Sequence, residues 1–173
     1  MYKDFIEQYF GENLELNYRL IDNSLPGLDV DNGDVGYDLY VRSIDKEFRG
    51  GQDWDKVHLE PGDDIYLNMN VAVEAPQGFF FDLRSRSSAY DTHGIKLTNS
   101  LGTIDPSYSG SEEEIVAHVH NTTQEVQTIE RGDRPFQLIC IPYVTPIPQQ
   151  QEELEGEARG GYGTTGQGVD DSE

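Results

Sequence analysis

Apolar residues follow a helical spacing only once in this chain. Tyr2, Phe5, Ile6 and Tyr9 fall three or four residues apart and Gly11 follows, which predicts a short N-terminal helix. Beyond it the period shortens to two. In "GDDIYLNMNVAVEAPQG" the residues Ile65, Leu67, Met69, Val71 and Val73 alternate with their neighbours and would share one face of a strand. "EEIVAHVHN" sets Ile115, Ala117 and Val119 on one face, with His118 and His120 on the other. "FQLICIPYV" reads as a strand buried on both sides. Pro26-Gly27, Asn32-Gly33, Pro61-Gly62, Pro76-Gln77-Gly78 and Arg131-Gly132-Asp133 mark turns between such runs. Short strands at close spacing predict an all-β sandwich or barrel.

Two stretches resist that pattern. "IDKEFRGGQDWDK" reads as a polar, glycine-containing connection, and the tail from Gln149 is too polar to fold alone. The expected organisation is an N-terminal helical extension (1–14), a β domain (15–148) and a C-terminal arm (149–173).

Charge narrows the partners. Acids outnumber bases 33 to 12, a formal charge of −21, so electrostatic binding to nucleic acid or anionic membrane is not expected. The same profile suits a salt-rich cytoplasm or a merely acidic protein. No apolar run is long enough to span a bilayer and nothing resembles a signal peptide, so a cytoplasmic protein is expected. The single cysteine, Cys140, sits in an apolar run and is expected as a buried thiol.

Candidate chemistry collects in a few places. In "NSLGTIDPSYSGS" the acid Asp105 stands before a proline bend, with Tyr108 close behind. Arg84, Arg86, Arg134 and Arg159 lie in turn-like segments rich in Ser, Gln, Thr and Gly, a setting for planar donors to phosphate. Each arginine taken alone is better explained by a surface ion pair; the hydroxyl and backbone donors beside three separate arginines shift the balance toward phosphate. The Gly-rich tail lacks the Gly-Lys-Ser/Thr ending of a P-loop, and there is no second cysteine for a zinc site.

In order, "DVGYDLYV" (34–41), "RSRSSAYDTHGI" (84–95), "NSLGTIDPSYSG" (99–110), "GDRPFQLI" (132–139) and "RGGYGTTG" (159–166) resemble the five motifs of the trimeric dUTPases. The resemblance implies a distorted jelly-roll, or β-clip, subunit with a swapped C-terminal arm, a homotrimer with shared active sites, and Mg²⁺-dependent hydrolysis of dUTP to dUMP and pyrophosphate. It makes Asp105 the base that activates water for attack on the α-phosphorus. Asn99, with backbone groups at Thr103 and Ile104, would meet the uracil edge, and Tyr108 would lie under the deoxyribose. Arg86, Ser87, Ser88 and Gln137 would bind phosphate. Arg159 would reach the γ-phosphate, Tyr162 would stack on uracil, and Gly163, Thr164 and Thr165 would line the terminal oxygens. Asp38 would touch Mg²⁺ through water, and Arg134 would serve a subunit contact. Ser85 and Ser88 depart from the family's proline and glycine, "SEEE" (111–114) looks inserted, and the fifth motif is two residues short after Arg159.

Two other functions use the same fold. A dCTP deaminase would want an arginine and a glutamate where Asp91 and His118 stand. A non-enzymatic trimeric regulator or scaffold would need none of the reactive groups.

Overall fold

The computed structural model describes residues 14–29, 34–51 and 54–156. The expected N-terminal helix and the fifth motif, with Arg159, Tyr162, Gly163, Thr164 and Thr165, lie outside these residues.

Twelve strands and one short helix make up the described chain. The strands are β1 (Asn17–Leu20), β2 (Gly36–Leu39), β3 (Ser43–Asp45), β4 (Lys56–Leu59), β5 (Asp64–Asn68) and β6 (Val71–Glu74). They continue as β7 (Phe79–Ser85), β8 (Ile95–Leu97), β9 (Gly102–Ile104), β10 (Val116–Asn121), β11 (Gln127–Glu130) and β12 (Phe136–Pro142), with α1 (Ala89–His93) after β7. All pairing is antiparallel. Two four-stranded sheets, β2-β12-β7-β9 and β3-β5-β10-β8, are joined by the two-stranded ribbons β1-β6 and β11-β4. Their apolar faces meet in one cluster that includes Leu39, Leu67, Phe81, Val119, Phe136 and Leu138. This is the expected all-β, jelly-roll-like architecture. Full burial of each such side chain contributes roughly 1.5–3 kcal/mol before conformational entropy is counted.

Several expectations are corrected in detail. Ile65, Leu67, Met69, Val71 and Val73 are all buried, but they do not form one strand. The chain breaks at Asn70, whose φ of 65° is left-handed, a conformation Asn tolerates better than most residues. The Asn70 amide N–H donates to Glu114 Oε1 (2.7 Å), and its side chain exchanges hydrogen bonds with the Asp22 backbone (2.8 and 3.1 Å). These contacts turn β6 out of the β5 sheet and into a ribbon with β1. Glu114, read as part of an insertion, is therefore a buried structural acid. It also takes Arg42 through Nε and Nη2, each at 2.9 Å.

β12 is buried on one face only. Phe136 and Leu138 enter the core, whereas Gln137, Ile139 and Ile141 are half-buried on the other side. His118 and His120 do share the outer face of β10, opposite Ala117 and Val119. The supposed polar connection 44–56 also proves structured. Ile44 and Asp45 are buried in β3, and Trp54 exchanges backbone hydrogen bonds with Ile44 (3.0 and 3.2 Å). The helix α1 gave no helical period because it is barely more than a turn. Gly94, at φ 63°, ends it by donating its N–H to the Tyr90 carbonyl (2.7 Å). Arg131-Gly132-Asp133 forms the expected turn, with Gly132 at φ 93°. Among the described residues no helix is long and apolar enough to cross a membrane.

Candidate active site

Asp105 follows β9, which a tight turn joins to β8 although the two strands lie in different sheets. The turn closes through the Ser100 N–H to the Leu97 carbonyl (3.1 Å) and the Leu101 N–H to the Asn99 carbonyl (2.7 Å). Gly102 lets β9 lie close on β7, because a Cβ there would stand 3.2 Å from the Leu83 Cβ. Thr103 and Ile104 then pair with Asp82 and Phe81. Asp105 leaves the ladder at once, and the Pro106-Ser107 turn is closed by the Tyr108 N–H to the Asp105 carbonyl (2.9 Å). The carboxylate is exposed on the ridge between two clefts. One, of about 540 Å³, includes Phe80, Thr103, Pro106 and Tyr143; the other, of about 500 Å³, includes Phe48, Ile104, Tyr108 and Val116. An acid presented to solvent in this way can accept a proton from a bound water.

Tyr108 is fixed by its hydroxyl. The phenol donates to the Glu114 carbonyl (3.0 Å) and accepts from Arg49 Nη2 (2.8 Å). Neither Arg49 nor Phe48, which walls the same cleft, was legible as a site residue, since their loop carries no motif and resembles a linker.

The other polar cluster occupies the outer face of the β2-β12-β7 sheet. Gln137 lies in register between Asp38 and Arg84, so all three side chains emerge together. Arg86 follows β7 and donates through Nε to Asp38 Oδ1 (2.8 Å) and through Nη1 to the Arg134 carbonyl (3.1 Å). Arg134 Nη1 reaches the other Asp38 oxygen at 3.2 Å. Arg84 is held by the buried Asp82 at 2.6 Å. The Gln137 amide lies over Gly36, where a Cβ would come within 2.4 Å of its oxygen. Beside Arg86, a cleft of about 270 Å³ is lined by Ser87, Tyr90, Lys96 and Ser100, which joins the Arg-Ser loop to the β8–β9 turn beside the exposed Asn99. Ser87 and Ser88 are exposed at the start of α1. Lys96 adds a cation that sequence reading passed over.

One chain thus holds two separated groups. Asp105 lies level with Phe80 while Arg86 lies beyond the opposite end of β7, a span of about 20 Å for extended chain. Among the described residues no three His, Cys, Asp or Glu side chains gather to hold a metal. Asp38 is already engaged by Arg86 and Arg134. Cys140 is half-buried against the core rather than fully enclosed, and burial pushes its thiol up to about 11.

Fold and site together define a jelly-roll-like β protein with a split polar site, one part at the end of β9 and one on a sheet face. Residues 29–167 match the dUTPase family model. Over 136 residues the chain is 32% identical to a deoxyuridine 5′-triphosphate nucleotidohydrolase of Cutibacterium acnes, covering 78% of this chain and 80% of that protein. Among solved structures it is similar to a mutant dUTPase of Staphylococcus bacteriophage 80alpha bound to dUpNHpp, with a TM-score of 0.70, 23% identity and coverage of 89% and 99%. It is also similar to a mutant dUTPase from phage phi11 of S. aureus, described with a structural Mg(II) ion. That match has a TM-score of 0.65, 23% identity and coverage of 82% and 99%. The chain belongs to the dUTPase family.

Proposed function

We propose that this chain hydrolyses dUTP to dUMP and pyrophosphate. The observation that carries the proposal is Asp105 at the exposed end of β9, three residues before a tyrosine fixed by two hydrogen bonds, inside a family match that spans most of the chain. Asp105 orients a water and takes its proton as the oxygen attacks the α-phosphorus. Phosphoryl transfer depends mainly on position and charge stabilisation, so a carboxylate suffices as the base. Asn99 and the backbone at Thr103 and Ile104 read the uracil edge, and Tyr108 excludes a 2′-hydroxyl. Arg86, Ser87, Ser88 and Gln137 receive phosphate oxygens. Arg159, Tyr162, Gly163, Thr164 and Thr165 close over the nucleotide from the arm of another chain.

The separation of about 20 Å between Asp105 and Arg86 supports a homotrimer in which the end of one chain's β9 meets another chain's sheet face. Domain limits of 1–14, 15–148 and 149–173 follow the same division of labour. Mg²⁺ neutralises phosphate charge when bound. With Asp38 bridged by two arginines, the donor set fits an ion carried chiefly by the triphosphate and water, Asp38 touching it through water at most.

The test is a nucleotide panel with Mg²⁺, scoring pyrophosphate and ammonia. dUTP should yield pyrophosphate, and Asp105→Asn should lower turnover by about 10²–10⁴-fold with nucleotide binding kept. Ammonia from dCTP would replace the proposal with a deaminase. Undiminished turnover in Asp105→Asn would remove the base.

A further inference from the structure

The β3–β4 loop is built toward the candidate site. Arg49 has φ 52° and Gly51 φ 70°, and the Gly50 N–H donates to the Glu47 carbonyl (2.9 Å), so the loop folds back sharply. A left-handed conformation is unfavourable for a residue with a Cβ, and something must hold Arg49 there. Two contacts do so. Its guanidinium donates to the Tyr108 hydroxyl at 2.8 Å and lies over the Phe48 ring, 5.3 Å from the centroid. Phe48 in turn sets its edge on Tyr66 (5.8 Å, 65°), which stacks on His118 (4.1 Å, 12°). His118 is fixed by Asp64 at 2.5 Å. A continuous set of rings therefore ties the loop to β5 and β10.

The loop also leaves apolar surface where a ligand would pass. Phe48 is 57% exposed, and its ring walls the cleft of about 500 Å³ that contains Asp105 and Tyr108. A flat apolar ring lining the same cleft as a phenol suits the face of a nucleoside's sugar or base.

Resting on the proposed function, we infer that the β3–β4 loop sets sugar selectivity: Arg49 is a positioning residue that locks Tyr108, and Phe48 is a wall of the nucleoside slot. With both partners in place the phenol can neither rotate nor retreat, so a 2′-hydroxyl meets a rigid ring. Without Arg49 only the Glu114 carbonyl holds the hydroxyl, and the ring can move aside to admit the larger sugar.

The experiment compares kcat/KM for dUTP and UTP in wild type, Arg49→Ala, Arg49→Lys, Tyr108→Phe and the Arg49→Ala/Tyr108→Phe double variant, with dUMP and UMP binding measured by calorimetry. Arg49→Ala should lower the dUTP/UTP preference about three- to tenfold, chiefly through KM, and Arg49→Lys should restore most of it because the phenol needs one donor. In the Tyr108→Phe background, Arg49→Ala should add nothing, since the hydroxyl is already gone. Phe48→Ala should weaken dUMP binding several-fold. An unchanged preference in Arg49→Ala, or effects that multiply in the double variant, overturns the inference while wild-type dUTP turnover keeps the function intact. A wild type that neither binds nor cleaves dUTP overturns both.

Discussion

Replacing Glu114 by alanine removes an acid that three elements share. The side chain is 11% exposed and the Arg42 side chain 21%, so the pair sits largely out of water. Its carboxylate accepts two bonds from Arg42 and one from the Asn70 N–H. Breaking a buried pair by deleting one partner costs roughly 3–5 kcal/mol. The stranded Asn70 N–H would add about 1–3 kcal/mol by itself, but it shares the same carboxylate, so the two do not simply sum. A loss of about 3–5 kcal/mol is expected. For a domain of this size each kcal/mol lowers the midpoint by about 2–4 °C, which gives a fall of about 6–20 °C. Glu114→Gln keeps one acceptor and should cost less, about 1.5–3 kcal/mol. The assay is thermal and urea unfolding followed by circular dichroism at fixed protein concentration, because the proposed trimer would make the midpoint concentration-dependent. Glu112→Ala is the control: its 87% exposed carboxylate pairs with Arg19 at the surface and should leave the midpoint nearly unchanged. If Glu114→Ala melts within 2 °C or so of wild type, the buried pair does not hold the β5–β6 break and the energetic reasoning fails.

Gly36→Ala should push the Gln137 amide aside, since the new Cβ meets its flexible end, and raise the KM for dUTP several-fold with little change in melting; an unchanged KM separates Gln137 from phosphate binding. Cys140 should react slowly with a disulfide reagent at pH 8. A thiol near 11 holds about 100-fold less thiolate there than one near 9, so native labelling as fast as in urea would contradict its burial. The same shift makes stability fall as pH rises from about 9 to about 11, because the unfolded chain releases that proton first. On the proposed function, truncation at Glu157 should leave the proposed trimer intact and cripple turnover, and full activity without the arm would refute its closing role.

Much of the fold is legible in the sequence. Alternation over Ile65–Val73 and Ile115–Val119 identified buried faces because a strand's side chains must alternate, whatever sheet the strand joins. The order of five short motifs pointed to the family that the match over residues 29–167 bears out. Local chemistry also marked Asp105 at a proline bend. What the alternation could not carry was the break at Asn70. That depends on Glu114, forty-four residues away, and on Asp22, so it is decided by contacts and not by neighbours in the chain.

The sequence alone therefore determined the alternating faces that supply the core and most of the Gly- and Pro-marked turns, and it marked candidate reactive groups, since these follow from local spacing and composition. Only the tertiary structure decided that Glu114 belongs in the interior and that the 46–51 loop reaches Tyr108. It also decided that Asp105 and Arg86 stand at opposite ends of β7. Those facts rest on non-local pairing, whose register is set by the packing of whole sheets against one core and by no single segment.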